Sequence, residues 1–404
     1  MGRIMDETGE FRRNWRPLAG AFLGIGSALS LNTYILSTFA PYFIAEFGWT
    51  KEQWTWLSVV QMMVIFSIPV SGRLADRFGV WRTAAVGALS YPLFLVAIAF
   101  MDGSLMTYFW IYVIQTIVCS TTTSTVYNRV VAQAFVRNRG LAMGLAGSGA
   151  PLIGAIGAPL ISLYVQNYGF SAGYVLVAAF CMACAVGTLW LLKGVKDEPT
   201  KASARADYGA VLSDRAFWIM LAATFLVNVP FSLATTQIKL VSGEQGLPDT
   251  AAALMVTAIG LASVAGRFIF GIAIDRLNPP RVAAFGFALP VLGLLLLASP
   301  LDSFAVVLFA MVLIGFAFGS EADVVPVLVA RHFGIARFGT VVGLLTAAMG
   351  AAMAGGSILI ALVQRATGSF NGYLFVAAAM TAVGSLLFLM LGGRRFTPVP
   401  TAHS

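Results

Sequence analysis

Charged residues are scarce in this sequence: aspartate, glutamate, lysine and arginine together make up 10% of its 404 residues. A soluble globular protein has roughly a quarter of its residues charged, so the composition excludes that class. Histidine and cysteine are scarcer still, with two and three residues. Cys119, Cys181 and Cys184 all lie within apolar stretches and lack the spacing of a metal site. We therefore expect no disulfide, no metal and no cofactor.

Motifs for catalysis and for nucleotide binding are also missing. His332 and His403 have no evident catalytic companions, and the chain contains no Gly-x-x-x-x-Gly-Lys-Ser/Thr sequence that could hold nucleotide phosphates. The sequence therefore predicts neither an enzyme nor an ATP-driven pump.

Long apolar stretches are what the sequence has in abundance. Hydrophobic residues make up 59% of the chain, and the mean hydropathy is +0.85. A helix of about 20 apolar residues crosses the hydrocarbon core of a membrane and satisfies its own backbone there. We predict an all-α membrane protein with twelve spans. Spans 1 to 12 are predicted at residues 17–44, 53–75, 82–101, 105–135, 140–166, 171–192, 215–242, 250–275, 281–300, 303–330, 337–364 and 370–391.

Lysine and arginine are distributed unevenly between the loops. The loops predicted to lie opposite the N-terminus contain only Lys51 and Arg365, whereas nearly all others lie on the N-terminal side. Cytoplasmic loops carry the excess of positive charge, so both termini are predicted to be cytoplasmic. The net charge of +8 then reflects topology, and we expect no nucleic-acid partner.

A constant shift of 199 residues relates the two halves of the sequence. The stretch "SGRLADRFGVWRT" at 71–83 and the stretch "FGIAIDRLNPPRV" at 270–282 place Gly, Asp-Arg and Arg at the same positions. The same shift carries Gly140 to Gly339. We predict two six-helix halves, at 17–192 and 215–392. They are joined by a cytoplasmic linker at 193–214 and flanked by tails at 1–16 and 393–404.

The repeated stretch resembles a loop of the major facilitator superfamily, Gly-x-x-x-Asp-Arg-x-Gly-x-x-Arg between spans 2 and 3. The second copy is weaker because Asn278 stands where glycine is expected. The resemblance implies the twelve-helix, pseudo-symmetric fold of that family, transport by alternating access, and a gating role for the motif. The alternative is that these charges only set topology. The gating residues so implied are Gly72, Asp76, Arg77, Gly79, Arg82, Gly271, Asp275, Arg276 and Arg281.

Arg267 lies deep in span 8, where a charged side chain costs about 3 kcal/mol or more and is a functional candidate. Its neighbourhood, "ASVAGRFIFGIAIDR", is similar to span 8 of monocarboxylate transporters and their bacterial relatives, including oxalate/formate exchangers. The resemblance implies that Arg267 binds the carboxylate of the substrate, and a planar guanidinium can do so through two parallel hydrogen bonds. The alternative is a structural ion pair.

Three departures from these relatives limit the comparison. Animal monocarboxylate transporters carry an aspartate four residues before this arginine, where this chain has Ser263, and a lysine in span 1, which this chain lacks. Oxalate exchangers use a lysine in span 11, and residues 337–364 contain none. Neither lactate-type proton coupling nor oxalate exchange therefore transfers directly.

Two carboxyl groups in span 10, Glu321 and Asp323, are candidates for proton coupling. Glu321 lies about 15 Å from the inner end of the helix, where a buried carboxyl can exchange a proton near neutral pH. The two residues are about 200° apart around a helix and cannot share a face. The repeat places Arg129 on nearly the same face as Glu321, so we expect Glu321 to face the cavity. A static partner for Arg129 or Arg267 is the alternative role for Glu321.

Several other polar residues are predicted to contact the substrate. Arg129 follows Tyr127 and Asn128 after the Ser/Thr run of "CSTTTSTVYNR", although that run could equally serve helix packing. Asn32, Tyr34 and Gln237 are further hydrogen-bonding candidates, and Asn228 lies on the same span as Gln237. Lys239 could attract anions at the outer mouth or extend toward the membrane surface.

These observations predict a secondary active transporter that moves a small organic anion, most simply a monocarboxylate, by proton-coupled symport. A proton-antiport exporter of drugs or metabolites and an anion exchanger are the transport alternatives, and a transporter-like receptor is the alternative from another class. We expect a monomer in the lipid bilayer, and the resemblance to bacterial relatives predicts the inner membrane of a bacterium.

Overall fold

The elements of the described part of the chain are all helices. The computed structural model describes residues 9–32, 39, 42–43, 46–50, 57, 60, 63–197, 204–231, 249–300, 303–367 and 371–393. Within these ranges, eight helices are long and apolar enough to cross a membrane. They are Val80–Ala99, Leu105–Ala134, Leu160–Leu192, Ala258–Arg276, Pro279–Leu297, Phe304–His332, Ile335–Ile360 and Asn371–Leu389.

The described helices of the first half overlap the predicted spans. The described part of span 1 is a helix from Trp15 to Gly26 followed by a 3₁₀ turn, Leu29–Leu31. In spans 2 and 3 the described helices are Met63–Phe78 and Val80–Ala99. Span 4 consists of Leu105–Cys119, a 3₁₀ turn at Ser120–Thr122, and Ser124–Ala134. Spans 5 and 6 comprise Arg139–Gly147 and Gly149–Leu192, the second of which bends at Gly169.

The second half repeats this arrangement after a short linker helix, Ala204–Leu212. Spans 7 to 10 are Arg215–Asn228, Asp249–Arg276, Pro279–Leu297 and Phe304–His332. Span 11 is a 3₁₀ turn, Ile335–Arg337, followed by the helix Phe338–Thr367. Span 12 is Asn371–Leu389, which ends in a 3₁₀ turn, Met390–Gly393.

Equivalent serines start the helices of spans 4 and 10. Ser104 accepts a hydrogen bond from the backbone N–H of Thr107, and Ser303 accepts one from the N–H of Val306, both at 3.4 Å. A serine in this position satisfies a backbone N–H that has no partner within the helix. The repeat seen in the glycine and aspartate positions therefore extends to the capping of the helices.

The Ser/Thr run interrupts the helix of span 4. The hydroxyls of Ser120, Thr121, Thr122 and Thr123 each donate to the carbonyl three residues earlier, at 2.6 to 2.9 Å. Such bonds compete with the helical backbone pattern, and the backbone of Thr123 is extended. This interruption of span 4 lies beside the one in span 1, where the helix ends at Gly26 and a 3₁₀ turn begins at Leu29. The two are in contact because the Leu29 N–H donates a hydrogen bond to the Thr122 hydroxyl at 3.4 Å.

The chain divides into two compact units. The first comprises the described residues within Met1–Asn138, Leu145–Ala202 and Ile335–Ala347, and the second those within Arg139–Gly144, Ser203–Gly334 and Ala348–Ser404. Each unit therefore contains the beginning of one span, span 11 or span 5, from the other half of the sequence. An aromatic cluster that includes Phe43, Tyr108 and Tyr174 fills part of the first core, and Met311 and Tyr373 lie in the second.

Candidate functional site

Asp76 caps the helix of span 11 within the first unit. Its buried carboxylate accepts hydrogen bonds from the backbone N–H groups of Gly339 and Thr340 at 2.9 and 2.6 Å, and from the Thr340 hydroxyl at 2.7 Å. The first N–H groups of a helix have no internal partners and carry partial positive charge, so an anion is stabilised there. We call these contacts the first carboxylate cap.

Two glycines allow the backbones of spans 2 and 11 to approach this closely. A Cβ atom added to Gly72 would overlap the carbonyl oxygen of Gly339, and one added to Gly339 would overlap that of Gly72. Only a residue without a side chain fits at either position, which is the usual reason for small residues where membrane helices cross.

A second carboxylate cap repeats these contacts within the second unit. The Asp275 carboxylate accepts hydrogen bonds from the backbone N–H groups of Gly140 and Leu141, at 2.8 and 3.0 Å, where span 5 begins. Gly140 and Leu141 are the positions equivalent to Gly339 and Thr340. The second cap has no hydroxyl donor because leucine replaces threonine.

Arg129 belongs to the network of the first cap. Its guanidinium forms an ion pair with Asp76, at 3.2 Å between Nε and Oδ1, and another with Asp197, and its side chain is 0% exposed. Asp197 also accepts a hydrogen bond from the N–H of Val80, where the helix of span 3 begins. Two carboxylates therefore compensate the charge of Arg129. The contact of Arg129 with substrate, expected from the sequence, stays a prediction.

The other residues of the repeated motif lie at the surface or in turns. Arg77 lies over the ring of Phe78, 5.3 Å from its centroid, and Arg82, Arg276 and Arg281 are exposed.

The turns after the two caps differ because of one residue. Gly79 has a φ of 84° in the turn before span 3, a conformation that favours glycine. At the equivalent position Asn278 has a φ of −69° and caps the helix that begins at Pro279. A proline after the cap is well suited to the first helical position, so the second turn does not need the missing glycine.

Arg267 and Asp323 form an ion pair between spans 8 and 10 of the second unit. The Nη1 and Oδ1 atoms are 3.5 Å apart, and the side chains are 16% and 1% exposed. The second carboxylate oxygen, Oδ2, is buried and has no hydrogen-bond partner among the described residues. The carboxylate that approaches Arg267 is thus Asp323 and not Glu321.

Glycines bring spans 8 and 10 together around this pair. A Cβ atom at Gly319 would overlap the carbonyl oxygen of Ser263, and one at Gly266 would overlap that of Phe316. Close backbone approach lets a guanidinium on one helix reach a carboxylate on the other.

Glu321 is directed toward span 7 in the same unit. The side-chain amide of Asn228 donates hydrogen bonds to Glu321 and to the Thr224 carbonyl oxygen, the latter at 2.7 Å. Glu321 and Asp323 are both buried and contact different neighbouring spans.

The remaining predicted substrate residues are buried polar groups of the first unit or lie outside the described residues. Asn32 accepts a hydrogen bond from the Tyr91 hydroxyl at 2.6 Å and donates one to Gln115 at 3.2 Å, which ties spans 1, 3 and 4 together. The Tyr127 hydroxyl and the Asn128 carbonyl oxygen are buried without a hydrogen-bond partner in the described part of the chain. Tyr34, Gln237 and Lys239 are outside the described residues.

Sequence reasoning missed Asp197 and Thr340. Asp197 lies in the polar linker, and its repeat-equivalent position is Phe396, so neither hydrophobic periodicity nor the repeat points to it. Thr340 could have been identified from the sequence, because it directly follows Gly339, one of the repeated glycines.

A chain of apolar helices with two repeated carboxylate caps and buried charges within its spans has the architecture of a membrane transport protein. The sequence pattern of the Major Facilitator Superfamily matches residues 22–357 and 231–403. The chain belongs to this family, and its members are transporters rather than enzymes.

The similar proteins of assigned function include monocarboxylate transporters. Monocarboxylate transporter 4 of Rattus norvegicus is 23% identical over 410 residues, which covers 96% of this chain and 85% of the relative. Monocarboxylate transporter 2 of Mesocricetus auratus is 22% identical over 408 residues, with 94% and 83% covered.

Solved structures of this family have the same fold. A bacterial homologue of the iron transporter ferroportin in an outward-facing state has a TM-score of 0.72 at 16% identity, over 94% of this chain and 99% of that one. The Escherichia coli fucose:proton symporter has a TM-score of 0.70 at 18% identity, over 93% and 97%. Both the predicted fold and the resemblance to the monocarboxylate branch are confirmed.

Proposed function

We propose that this transporter moves a small organic anion of the monocarboxylate class together with a proton, by alternating access. The observation that carries the proposal is the pair of Arg267 and Asp323, an arginine and a carboxyl group in contact within membrane-spanning helices. The names of the similar monocarboxylate transporters support the same class of substrate.

In this mechanism a proton and the substrate act on the same pair. Protonation of Asp323 removes the charge that holds Arg267, and the guanidinium then binds the carboxylate of the substrate through parallel hydrogen bonds. Release of the anion and the proton on the other side restores the pair. Neither species is carried alone because an unpaired charge in the membrane interior is unfavourable.

Asp323 can supply the carboxyl group that animal monocarboxylate transporters carry on span 8. Those proteins have an aspartate four residues before the arginine, and this chain has Ser263 there. Asp323 reaches Arg267 from span 10 instead. We therefore assign the proton to Asp323, and we propose that Glu321 positions Asn228 on span 7.

A carboxylate next to Arg267 would argue against an anion site if the two groups formed a permanent ion pair in which both made all their hydrogen bonds. Their contact is a single one at 3.5 Å, and Asp323 Oδ2 has no hydrogen-bond partner within the described residues. A permanent buried pair normally needs further hydrogen bonds to offset desolvation. The incomplete bonding supports a pair that opens for substrate.

The two carboxylate caps serve as gates in this proposal. Asp76 and Asp275 each hold the beginning of a helix from the other half of the sequence, and a transporter that opens alternately to each side must release such contacts in every cycle. We assign Arg129 to the gate because its charge is compensated by Asp76 and Asp197.

Uptake by proteoliposomes tests the assignment of the ion pair. Purified protein is offered a panel of radiolabelled monocarboxylates with and without an inwardly directed proton gradient. We expect Arg267→Lys to lose uptake by about tenfold or more, since lysine keeps the charge without the bidentate geometry. We expect Asp323→Asn to retain exchange of internal for external anion and to lose accumulation driven by the gradient. Arg365→Lys, an exposed arginine, is the matched control.

The outcomes separate the possible functions. Accumulation by Asp323→Asn equal to that of the wild type would exclude Asp323 as the proton site. Accumulation by Glu321→Gln equal to that of the wild type would exclude Glu321 as the proton site. Wild-type uptake that requires an internal anion and ignores the gradient would make the protein an exchanger. Normal transport by Arg267→Lys would overturn the anion site.

A further inference from the structure

An apolar groove runs along the outside of the first unit between spans 2, 3 and 4. It consists of two adjoining cavities of about 380 Å³ and about 320 Å³. Both are lined by Leu74, Val86 and Thr121, so they form one continuous groove. Clefts that hold small ligands have volumes of roughly 300–1,000 Å³, so the groove is large enough for a defined ligand.

The walls of the groove are open to the surroundings of the helices. Phe66 and Val70 on span 2 are 72% and 58% exposed, and Val86 on span 3 is 56% exposed. In a protein that spans the membrane, such an apolar surface faces hydrocarbon chains and not water. The ligand that fits the groove is therefore the chain of a lipid.

The groove has a basic end. Arg82 lines the smaller cavity and is exposed. None of the described residues places a carboxylate within ion-pair distance of it. The neighbouring Trp81, whose indole N–H donates to the Leu189 carbonyl oxygen at 2.9 Å, marks the level of the membrane interface, where tryptophan is enriched. A guanidinium at that level is suited to bind a phosphate group.

The length of the groove corresponds to one leaflet. Phe78 and Met63 line its two ends on span 2 and are separated by about 22 Å along a helix. A bilayer with its headgroup regions is about 40–45 Å thick, so one leaflet with its headgroups spans about half of that. A phospholipid with its phosphate at Arg82 would extend its chain to the far end of the groove.

We propose that the groove between spans 2, 3 and 4 binds one molecule of anionic phospholipid, with its phosphate at Arg82 and an acyl chain along Leu74 and Val86. Ser71 on span 2 lines the larger cavity, and its hydroxyl is hydrogen-bonded to that of Ser120 on span 4 at 2.7 Å. The bound chain thus packs on the side of span 2 that precedes Asp76 and supports the helix that carries the first carboxylate cap. The inference does not depend on the substrate of transport.

Native mass spectrometry of the full chain in detergent, titrated with dioleoyl phosphatidylglycerol, tests the proposal. Arg82→Gln removes the phosphate contact, and Val86→Trp fills the groove. We expect each to weaken binding of the first lipid about tenfold, the effect of losing one charge-assisted contact. The controls are Arg281→Gln, at the equivalent position of the second half, and Leu93→Trp, seven residues along the same exposed face of span 3.

We expect both controls to bind the first lipid as the wild type does. Equal losses in the test variants and the controls, or no loss in Arg82→Gln, would show non-selective annular lipid and overturn the proposal. Displacement of the lipid by inorganic phosphate alone would show a free-anion site and would also overturn it. Thermal unfolding of each variant checks folding, and Arg82→Gln leaves the apolar packing intact if Val86→Trp does not fold.

Discussion

Arg129 and Arg267, two arginines within the spans, have different surroundings, and this difference determines the role we assign to each. Arg129 is 0% exposed and is paired with Asp76 and Asp197. Arg267 is 16% exposed and forms one ion pair within the described part of the chain, with Asp323 at 3.5 Å. Two carboxylates offset the charge of Arg129, whereas the charge of Arg267 faces one carboxylate at a longer distance.

Removing the charge of Asp197 tests the network around Arg129. We expect Asp197→Asn to lower the free energy of unfolding by about 3 kcal/mol, because breaking a buried pair leaves a charge that is only partly compensated. Denaturation of the purified protein followed by circular dichroism measures it. Asp102→Asn, on an exposed turn, is the control, and equal stability of the two variants would contradict the role of Asp197.

At the scale of elements, the caps depend on the close approach of helices. Spans 2 and 11 meet at Gly72 and Gly339, and the Asp76 carboxylate then reaches the first N–H groups of the helix that starts at Phe338. A wider separation of these two helices would break all three hydrogen bonds to Asp76 at once.

A methyl group at this crossing is expected to be destabilising. Gly72→Ala places a Cβ atom on the Gly339 carbonyl oxygen, and such overpacking costs about 1–3 kcal/mol. Gly187→Ala is the matched control, since a Cβ atom there meets only a side-chain carbon of Leu23 at 4.0 Å. Thermal unfolding and uptake are measured for both, and a Gly72→Ala protein as stable as Gly187→Ala would show that the crossing is not tight.

At the scale of the whole molecule, the two carboxylate caps are related by the repeat but are not equal. The first has three hydrogen bonds and the ion pair to Arg129. The second has two backbone hydrogen bonds, from Gly140 and Leu141, and its nearby arginines are Arg139 and Arg331. The position equivalent to Arg129 is Leu328, so the arginines near the second cap come from other positions of the repeat.

The inequality predicts different effects of matched variants. Asp76→Asn should reduce the rate of transport more than Asp275→Asn, since it weakens one more hydrogen bond and leaves Arg129 buried with a single carboxylate. Initial uptake rates in proteoliposomes at equal protein content measure this. Equal losses would indicate that Arg129 and Thr340 add nothing to the first cap.

The sequence by itself determined the class and the plan of this protein. The length and number of apolar stretches require membrane-spanning helices, and the shift of 199 residues between "SGRLADRFGVWRT" and "FGIAIDRLNPPRV" relates the two halves. The transporter family predicted from these motifs is confirmed. Such features can be read without coordinates because they depend on local composition or on a fixed spacing. The cytoplasmic termini and the bacterial inner membrane stay predictions.

Only the tertiary structure decided which charges meet. Arg129 pairs with Asp197, 68 positions away, and Arg267 with Asp323, 56 positions away. Asp76 reaches Gly339 across 263 positions. Whether a side chain on one helix touches a side chain on another depends on the depth and rotation of both helices, and glycines at their crossings set these. For that reason the sequence could name the charged residues within the spans but could not show that Arg129 contacts Asp76 and Asp197 or that Arg267 contacts Asp323.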